Sequence, residues 1–172
     1  MNYALSEEQE MLKKTARDFL VDKCSKKFVK QMEESETGYS RELWQEMAEL
    51  GWMGLAFPEK YGGGDMSFLD LAVLLEEMGR ACLPGPFFST VVLGGLSILD
   101  LGNEEQKQRW LPQIAKGKLG AICITEPSIG SDAGGIETTA TRNGNNYVTN
   151  GKKRFISSAG PAEIYRAHAR TS

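Results

Sequence analysis

Apolar positions recur at helical spacing through the first part of the chain and change period toward its end. Leu12, Ala16, Phe19 and Leu20 fall three or four residues apart, with Lys, Arg, Asp and Glu between them, which predicts an amphipathic helix. Ser6-Glu7-Glu8-Gln9 precedes it as a capping box, in which Ser6 and Gln9 satisfy otherwise orphan N–H groups. The mixed charges over 22–36 read as a solvated helix face or loop. A second helix is predicted from about Arg41 to Leu50, stopping at Gly51. Residues 57–64, FPEKYGGG, read as loop. Ser67 then caps FLDLAVLLEEM, apolar nearly all round and so expected inside a bundle, with Gly79 as its end. Leu83-Pro84-Gly85-Pro86 is a turn, and a small-residue helix is expected at about 87–100. Asn103 caps a further helix ending near Lys116, with Trp110 and Leu111 as core anchors.

Beyond Gly117 the pattern shortens. Eight glycines fall in the 44 residues from Gly117 to Gly160, among Thr, Val, Ile and Asn, a pattern of short strands and turns. AICIT at 121–125 is a buried strand candidate, which would put Cys123 and Thr125 on one face. Asn143-Gly144 and Asn150-Gly151 are turn signals around Tyr147, Val148 and Thr149. A strand over 154–157 would set Phe155 and Ser157 on a common face. The last strand candidate, 164–169, has no partner after it. About 55 residues of strand material are too few to close a barrel, so open edges and a truncated protein are expected. The fold class is therefore α+β: an all-α N-terminal domain followed by an incomplete β-barrel.

Composition excludes several functions. Twenty Lys+Arg against 23 Asp+Glu give a net charge of −3, without the basic excess that nucleic-acid binding uses. The longest apolar run free of glycine, LAVLL at 71–75, is far short of the roughly 18 residues of a membrane span. The acidic start MNYALSEEQE lacks the basic and apolar regions of a signal peptide, and no Arg-rich presequence is visible, so a cytoplasmic protein is expected. Cys24, Cys82 and Cys123 are odd in number and widely spaced, which suits free thiols rather than a disulfide set or zinc site. His168 is the sole histidine, so a multi-His metal site is impossible; it reads as a surface or satisfied strand residue. Lys152-Lys153-Arg154 reads as a solvated turn. The methionines at 47, 53, 66 and 78 read as packing. Gly62-Gly63-Gly64 lacks any phosphate-loop pattern.

The chemistry sits in Ile122-Cys123-Ile124-Thr125-Glu126-Pro127-Ser128-Ile129-Gly130-Ser131-Asp132. A strand ends there in a hydroxyl and a carboxylate, and Pro127 halts its ladder. Gly130 permits close approach of a ligand, and Ser131 and Asp132 add short polar groups. Backbone donors with hydroxyls suit a flat, many-acceptor heterocycle or a pyrophosphate, and equally an ordinary polar turn. Glu126 reads as a structural carboxylate paired with a nearby donor, and Asp132 as a turn cap.

ITEPSIGSD resembles the TEPxxGSD signature of the acyl-CoA dehydrogenase family. In the same order along the chain, LSEEQEMLKKTARDFL is similar to that family's opening helix, LGWMGLAFPEKYGG to its GW-GL–PE-YGG passage and LLEEMGR to its EE-GR helix end. GNEEQKQRWLPQIAKGK resembles its EEQK-RWLP helix, NGKKRFISSA its NGxKxWITNA strand, and ARTS its ARTD-like strand. The resemblance implies a helical N-terminal domain (1–117) and part of the middle β-domain (118–172), with the C-terminal helical bundle absent. It implies FAD as cofactor, an acyl-CoA substrate, an electron-transfer flavoprotein as acceptor, and a homodimer or homotetramer. The implied reaction is α,β-dehydrogenation of an acyl thioester with hydride transfer to flavin N5. By the same resemblance, Ile122, Ile124 and Thr125 would border the flavin, and Gly130, Ser131, Phe155, Ile156 and Ser157 would contact it. Ser131 would also lie near the CoA moiety. Phe155 stands where many members have Trp, and Ser157 where they have Thr. No residue matches the catalytic glutamate, which is expected in the missing C-terminal part. Two other readings stand beside this one: a non-catalytic, partner-dependent binding module, and an acyl-CoA oxidase or flavin monooxygenase of the same fold. The 172-residue chain alone is expected to bind FAD weakly or not at all and to turn over no acyl-CoA.

Overall fold

The computed structural model describes residues 4–171. Six α-helices and one π-helix precede four short strands: α1 (Glu7–Lys23), α2 (Lys26–Glu33), α3 (Arg41–Glu49), α4 (Phe68–Arg80), the π-helix (Phe88–Leu96), α5 (Ser97–Leu101) and α6 (Glu104–Ala115), then β1 (Gly120–Cys123), β2 (Thr139–Asn143), β3 (Asn146–Asn150) and β4 (Ile164–Ala167). Helical domain followed by partial β-domain is the α+β order expected from the sequence.

Local chemistry starts the helices. Ser6, Ser67 and Asn103 each close a capping box with the residue three positions on, and Ser25 and Ser40 cap α2 and α3. The end of α4 is different from expectation. Gly79 lies inside the helix, and Cys82 takes the left-handed turn after it, at φ +51°. The Cys82 amide donates to the Gly79 carbonyl and the Leu83 amide to Met78, which together form a Schellman motif. Pro84 follows, so the stop is set by the residues after the helix and not by the glycine within it. One side of α4 is buried through Leu71, Val73, Leu74 and Met78, while Phe68 and Leu69 face outward.

Two further expectations are corrected. The loop at 57–64 contains a 3-10 turn, Glu59–Tyr61. The small-residue helix at 87–100 divides into the π-helix and α5. Gly95 lets the π-helix press on Phe57, whose ring carbon Cζ would lie 2.4 Å from an added Cβ. Gly63 does the same for the loop, where a Cβ would come within 2.0 Å of the Phe57 carbonyl. Phe57 is fully enclosed among Leu20, Met53, Leu71, Leu74, Val91, Leu111 and Ile114 in one helical core. Trp110, expected as an anchor, packs on the edge of that core rather than within it.

Side-chain ties hold α1 beside α4, among them a Lys13–Glu76 ion pair at 3.5 Å. Gln9 donates to Asp70, and Arg17 donates twice to Glu77, at 3.0 and 2.6 Å. Glu77 is wholly buried, and Arg80 also donates to it at 2.8 Å. The Arg17 hydrogen bonds, then those of Arg80, pull its carboxyl pKa down to about 2 against the opposing cost of burial.

The strands form two separate pairs. β1 pairs parallel with β4, Gly120 opposite Ile164 and Cys123 opposite Ala167. The last strand therefore has a partner earlier in the chain. β2 and β3 form an antiparallel hairpin across Asn143 to Asn146. AICIT is strand only to Cys123, so Thr125 lies beyond the ladder and the shared face with Cys123 does not form. Residues 154–157 are not a strand at all: Phe155 has φ +56° and a turn follows. The β1 pair is locked to the helices by Thr90, which donates to the Gly120 carbonyl and accepts from its amide, both at 3.1 Å. Among the described residues no helix is long and apolar enough to cross a membrane, and no group of three His, Cys, Asp or Glu could hold a metal ion.

Candidate functional site

Beyond β1 the chain makes a tight turn. The amide of Glu126 donates to Ile129 and the amide of Ile129 to Glu126, enclosing 127–128, where Pro127 has no N–H to offer. The Glu126 carboxylate, 5% exposed, turns inward. It accepts from the amides of Glu137 (2.7 Å) and Thr138 (2.9 Å) and from Lys153 Nζ (2.8 Å). The Lys153 hydrogen bond, supported by the donors at Thr138 and Glu137, brings its pKa down to about 2. A carboxylate so saturated with donors stays ionised and is a poor proton acceptor. This is the structural role expected of it.

Lys153 is where the sequence misled. Read as part of a solvated basic turn, its side chain is only 12% exposed, and its Nζ also donates to the Ile124 carbonyl at 2.9 Å. The signal for this was alternation: Lys152 and Arg154 are exposed on either side of it. The next residue completes the join, since the Arg154 amide donates to the Thr125 carbonyl at 2.8 Å. Two runs 29 residues apart are thus fixed edge to edge, Ile124 and Thr125 on one, Lys153 and Arg154 on the other.

Phe155 emerges from this join 85% exposed, with the Arg154 guanidinium 5.2 Å from its ring centre. Ile156 is half-buried and Ser157 exposed. The next hydroxyl, Ser158, lies 3.4 Å from that of Ser89 on the π-helix. Between them opens a cleft of about 410 Å³ that Thr37, Tyr39, Ser89, Leu93, Ser157 and Ser158 help to line. Ser158 was not singled out by sequence, and nothing in its spacing marks it.

The structure joins Ile124 and Thr125 to Lys153 and Arg154, while Ile122 lies in β1 opposite Arg166 of β4. Gly130 and Ser131 lie on a separate exposed turn. That turn is held from behind by Glu126 and by Arg170, which donates to the carbonyls of Ile136 and Gly134. An added Cβ at Gly130 would meet nothing within 4 Å, so its surroundings are open. Asp132 precedes the 3-10 turn Ala133–Gly135, but its side chain makes no cap; its carbonyl accepts the Gly135 amide instead. His168 is also corrected. Its amide bonds to the Cys123 carbonyl, but its buried Nδ1 has no partner among the described residues. Burial, then the nearby Arg166, lowers its pKa.

The geometry can be set beside known proteins. The family model described as acyl-CoA dehydrogenase, N-terminal domain, matches residues 6–118, and the one described as acyl-CoA dehydrogenase, middle domain, matches 121–172. The chain belongs to the acyl-CoA dehydrogenase family. A probable acyl-CoA dehydrogenase of Bacillus subtilis, YngJ, is 39% identical over 164 residues, 92% of this chain and 42% of that protein. The mitochondrial isobutyryl-CoA dehydrogenase of Dictyostelium discoideum is 35% identical, over 97% of this chain and 40% of its own length. A solved Bacillus anthracis acyl-CoA dehydrogenase complexed with FAD superimposes with a TM-score of 0.87 at 37% identity, over 97% of this chain and 30% of that one. The chain thus spans less than half the length of these family members.

Proposed function

We propose that this chain is the helical domain (1–117) and part of the β-domain (118–172) of an FAD-dependent acyl-CoA dehydrogenase, an oxidoreductase that removes hydrogens from the α and β carbons of an acyl-CoA thioester. The observation that carries the reading is the join at Thr125 and Arg154. It ties Thr125, at the end of the 122–125 run, to the residue just before the exposed Phe155 ring, within a chain of this family.

The donor set fits a flavin. Phe155 offers an open aromatic face for stacking on a flat ring. Thr125, Ser131 and Ser157 offer short hydroxyls for its acceptors, and the open surroundings of Gly130 admit close approach. When bound, FAD supplies the hydride acceptor for the β-carbon. The protein's task is to hold and orient. Ile122 and Ile124 would border the ring, Ile156 and Ser157 would flank it, and Ser131 would also lie near the CoA moiety. Lys153 and Glu126 fix the backbone from which these side chains project, so they position without touching the reacting atoms. Glu126 does not serve as base, because its carboxylate is saturated by three donors. On this reading the α-proton is taken by a glutamate outside these 172 residues. The same reading carries an electron-transfer flavoprotein as acceptor, a homo-oligomeric assembly and a cytoplasmic location.

The test is flavin content of the protein expressed from its full reading frame. Ser131→Ala and Phe155→Ala are each expected to lower FAD occupancy with the fold intact. Wild-type occupancy in both variants would remove the site assignment.

A further inference from the structure

Cys82 occupies an unusual position. It is the residue after the α4 cap in a Schellman motif, in the left-handed conformation at φ +51°. Glycine is preferred there because a Cβ is strained. A strained cysteine where glycine would serve points to a use for its side chain.

Its surroundings supply one. α1 and α4 run parallel, and the series of contacts from Gln9–Asp70 through Arg17–Glu77 ends at Cys24, whose thiol donates to the Ala81 carbonyl at 3.6 Å. Standard backbone dimensions put the next Cα about 2.8 Å from that oxygen, so Cys24 Sγ and the Cys82 Cα are at most about 6.4 Å apart. Closing a disulfide from there asks for a movement of a few ångströms, on a loop. The two thiols differ in access. Cys82 is exposed and lines an open apolar cleft of about 380 Å³ with Met78, Leu83, Phe87 and Phe88. Cys24 is buried. Burial, and then the neighbouring Cys82 thiol, raises the Cys24 pKa, which with its lack of exposure disfavours Cys24 as the thiol that meets peroxide first.

We propose that Cys82 and Cys24 form a peroxide-responsive pair, in which hydrogen peroxide oxidises Cys82 and Cys24 resolves it to an intramolecular disulfide stapling the C-terminal ends of α1 and α4. The Cys82 thiolate attacks one peroxide oxygen and the O–O bond breaks, giving the sulfenic acid and, after protonation, one water. Cys24 sulfur then attacks Cys82 sulfur. The S–O bond breaks, and the departing hydroxide takes the Cys24 proton as a second water. Two thiols lose two electrons in all, and one peroxide gains them. The staple would fix the 82–86 turn, which leads into the π-helix and its Ser89 edge of the larger cleft.

The experiment treats the reduced, purified chain with hydrogen peroxide, alkylates remaining thiols and maps peptides by mass spectrometry. The expected product has lost two hydrogens, carries a cross-link between the Cys24 and Cys82 peptides, and retains an alkylated Cys123. A thiol reductant reverses it. Cys24→Ser should instead accumulate Cys82 sulfinic acid. The oxidised wild type should also melt at a higher temperature than the reduced form, a shift that Cys82→Ser, an exposed substitution, abolishes. Sulfinic acid at Cys82 with Cys24 still alkylated in the wild type would overturn the proposal. So would a cross-link to Cys123 or a disulfide between two chains.

Discussion

The helical and β regions of this chain are built on different terms. From Ala16 to Leu119 nearly every buried apolar residue belongs to one continuous core, to which the strands add only Ile164. The β region has four strands in two pairs, bridged where Arg170, just past β4, bonds the backbone of Thr138 and Ala140, and every residue of β3 is exposed. Besides small buried residues such as Ala121 and Ala140, polar fasteners order it: Glu126 with Lys153, Thr90 with Gly120, and Arg170 with the 134–136 carbonyls. The helices are stabilised by area removed from water, whereas the β region is positioned by directional bonds. The candidate site lies on the second kind of structure, where side chains project from a fixed backbone without being packed away.

The sharpest way to break this contrast is at the centre of the helical core. Phe57→Ala should cost about 4 kcal/mol, since it empties a site with no exposure and contacts on all sides. Urea denaturation followed by tryptophan fluorescence reports it, because Trp44, Trp52 and Trp110 all lie in the helical region. A cost below about 1 kcal/mol would mean that the core is not the common support it looks like.

Acid separates the regions next. Glu77 and Glu126 both have folded pKa values near 2, below the roughly 4.3 of an unfolded glutamate. Folding therefore favours their ionised forms. Their contribution is complete above about pH 4.3 and is lost as pH falls toward 2. Glu77→Gln should cost about 2–3 kcal/mol at neutral pH and flatten the acid slope seen by tryptophan. Glu126→Gln should leave that slope in place and speed hydrogen exchange at the amides of Glu137 and Thr138. If Glu126→Gln changed the tryptophan profile as much as Glu77→Gln, the two regions would be one cooperative unit.

Smaller effects sharpen the same point. Ser67→Ala removes one side of a capping box and should cost about 1 kcal/mol, read by the same denaturation curve. Phe155→Ala should change stability by less than about 0.5 kcal/mol, because the ring is almost free of the protein, yet it should lower flavin content.

The two regions were also unequally legible in the sequence. Helix starts were read directly, because Ser6, Ser67 and Asn103 carry their caps in adjacent residues. Helix ends were harder. Gly79 looked like a stop, while the Schellman turn at Cys82 depends on a conformation that cysteine rarely takes. The π-helix could not be read, since no local period marks it and the close packing of Gly95 on Phe57 joins residues 38 positions apart. In the β region, alternation over 154–157 suggested a strand, but the amide bond from Arg154 to Thr125 and the positive φ at Phe155 divert the chain. Lys153 was missed for a related reason: its partner, Glu126, is 27 residues away. The motif 122–132 was visible as a place, and the means by which it is held was not.

The most direct measurement adds a saturated acyl-CoA thioester, without oxygen, to the protein produced from the full reading frame. The expected result is bleaching of the oxidised-flavin absorption band together with formation of the 2-enoyl thioester, both reduced in Ser131→Ala and Phe155→Ala in proportion to lost flavin. A purified, folded protein that carries no flavin, or whose flavin no acyl-CoA bleaches, would contradict it.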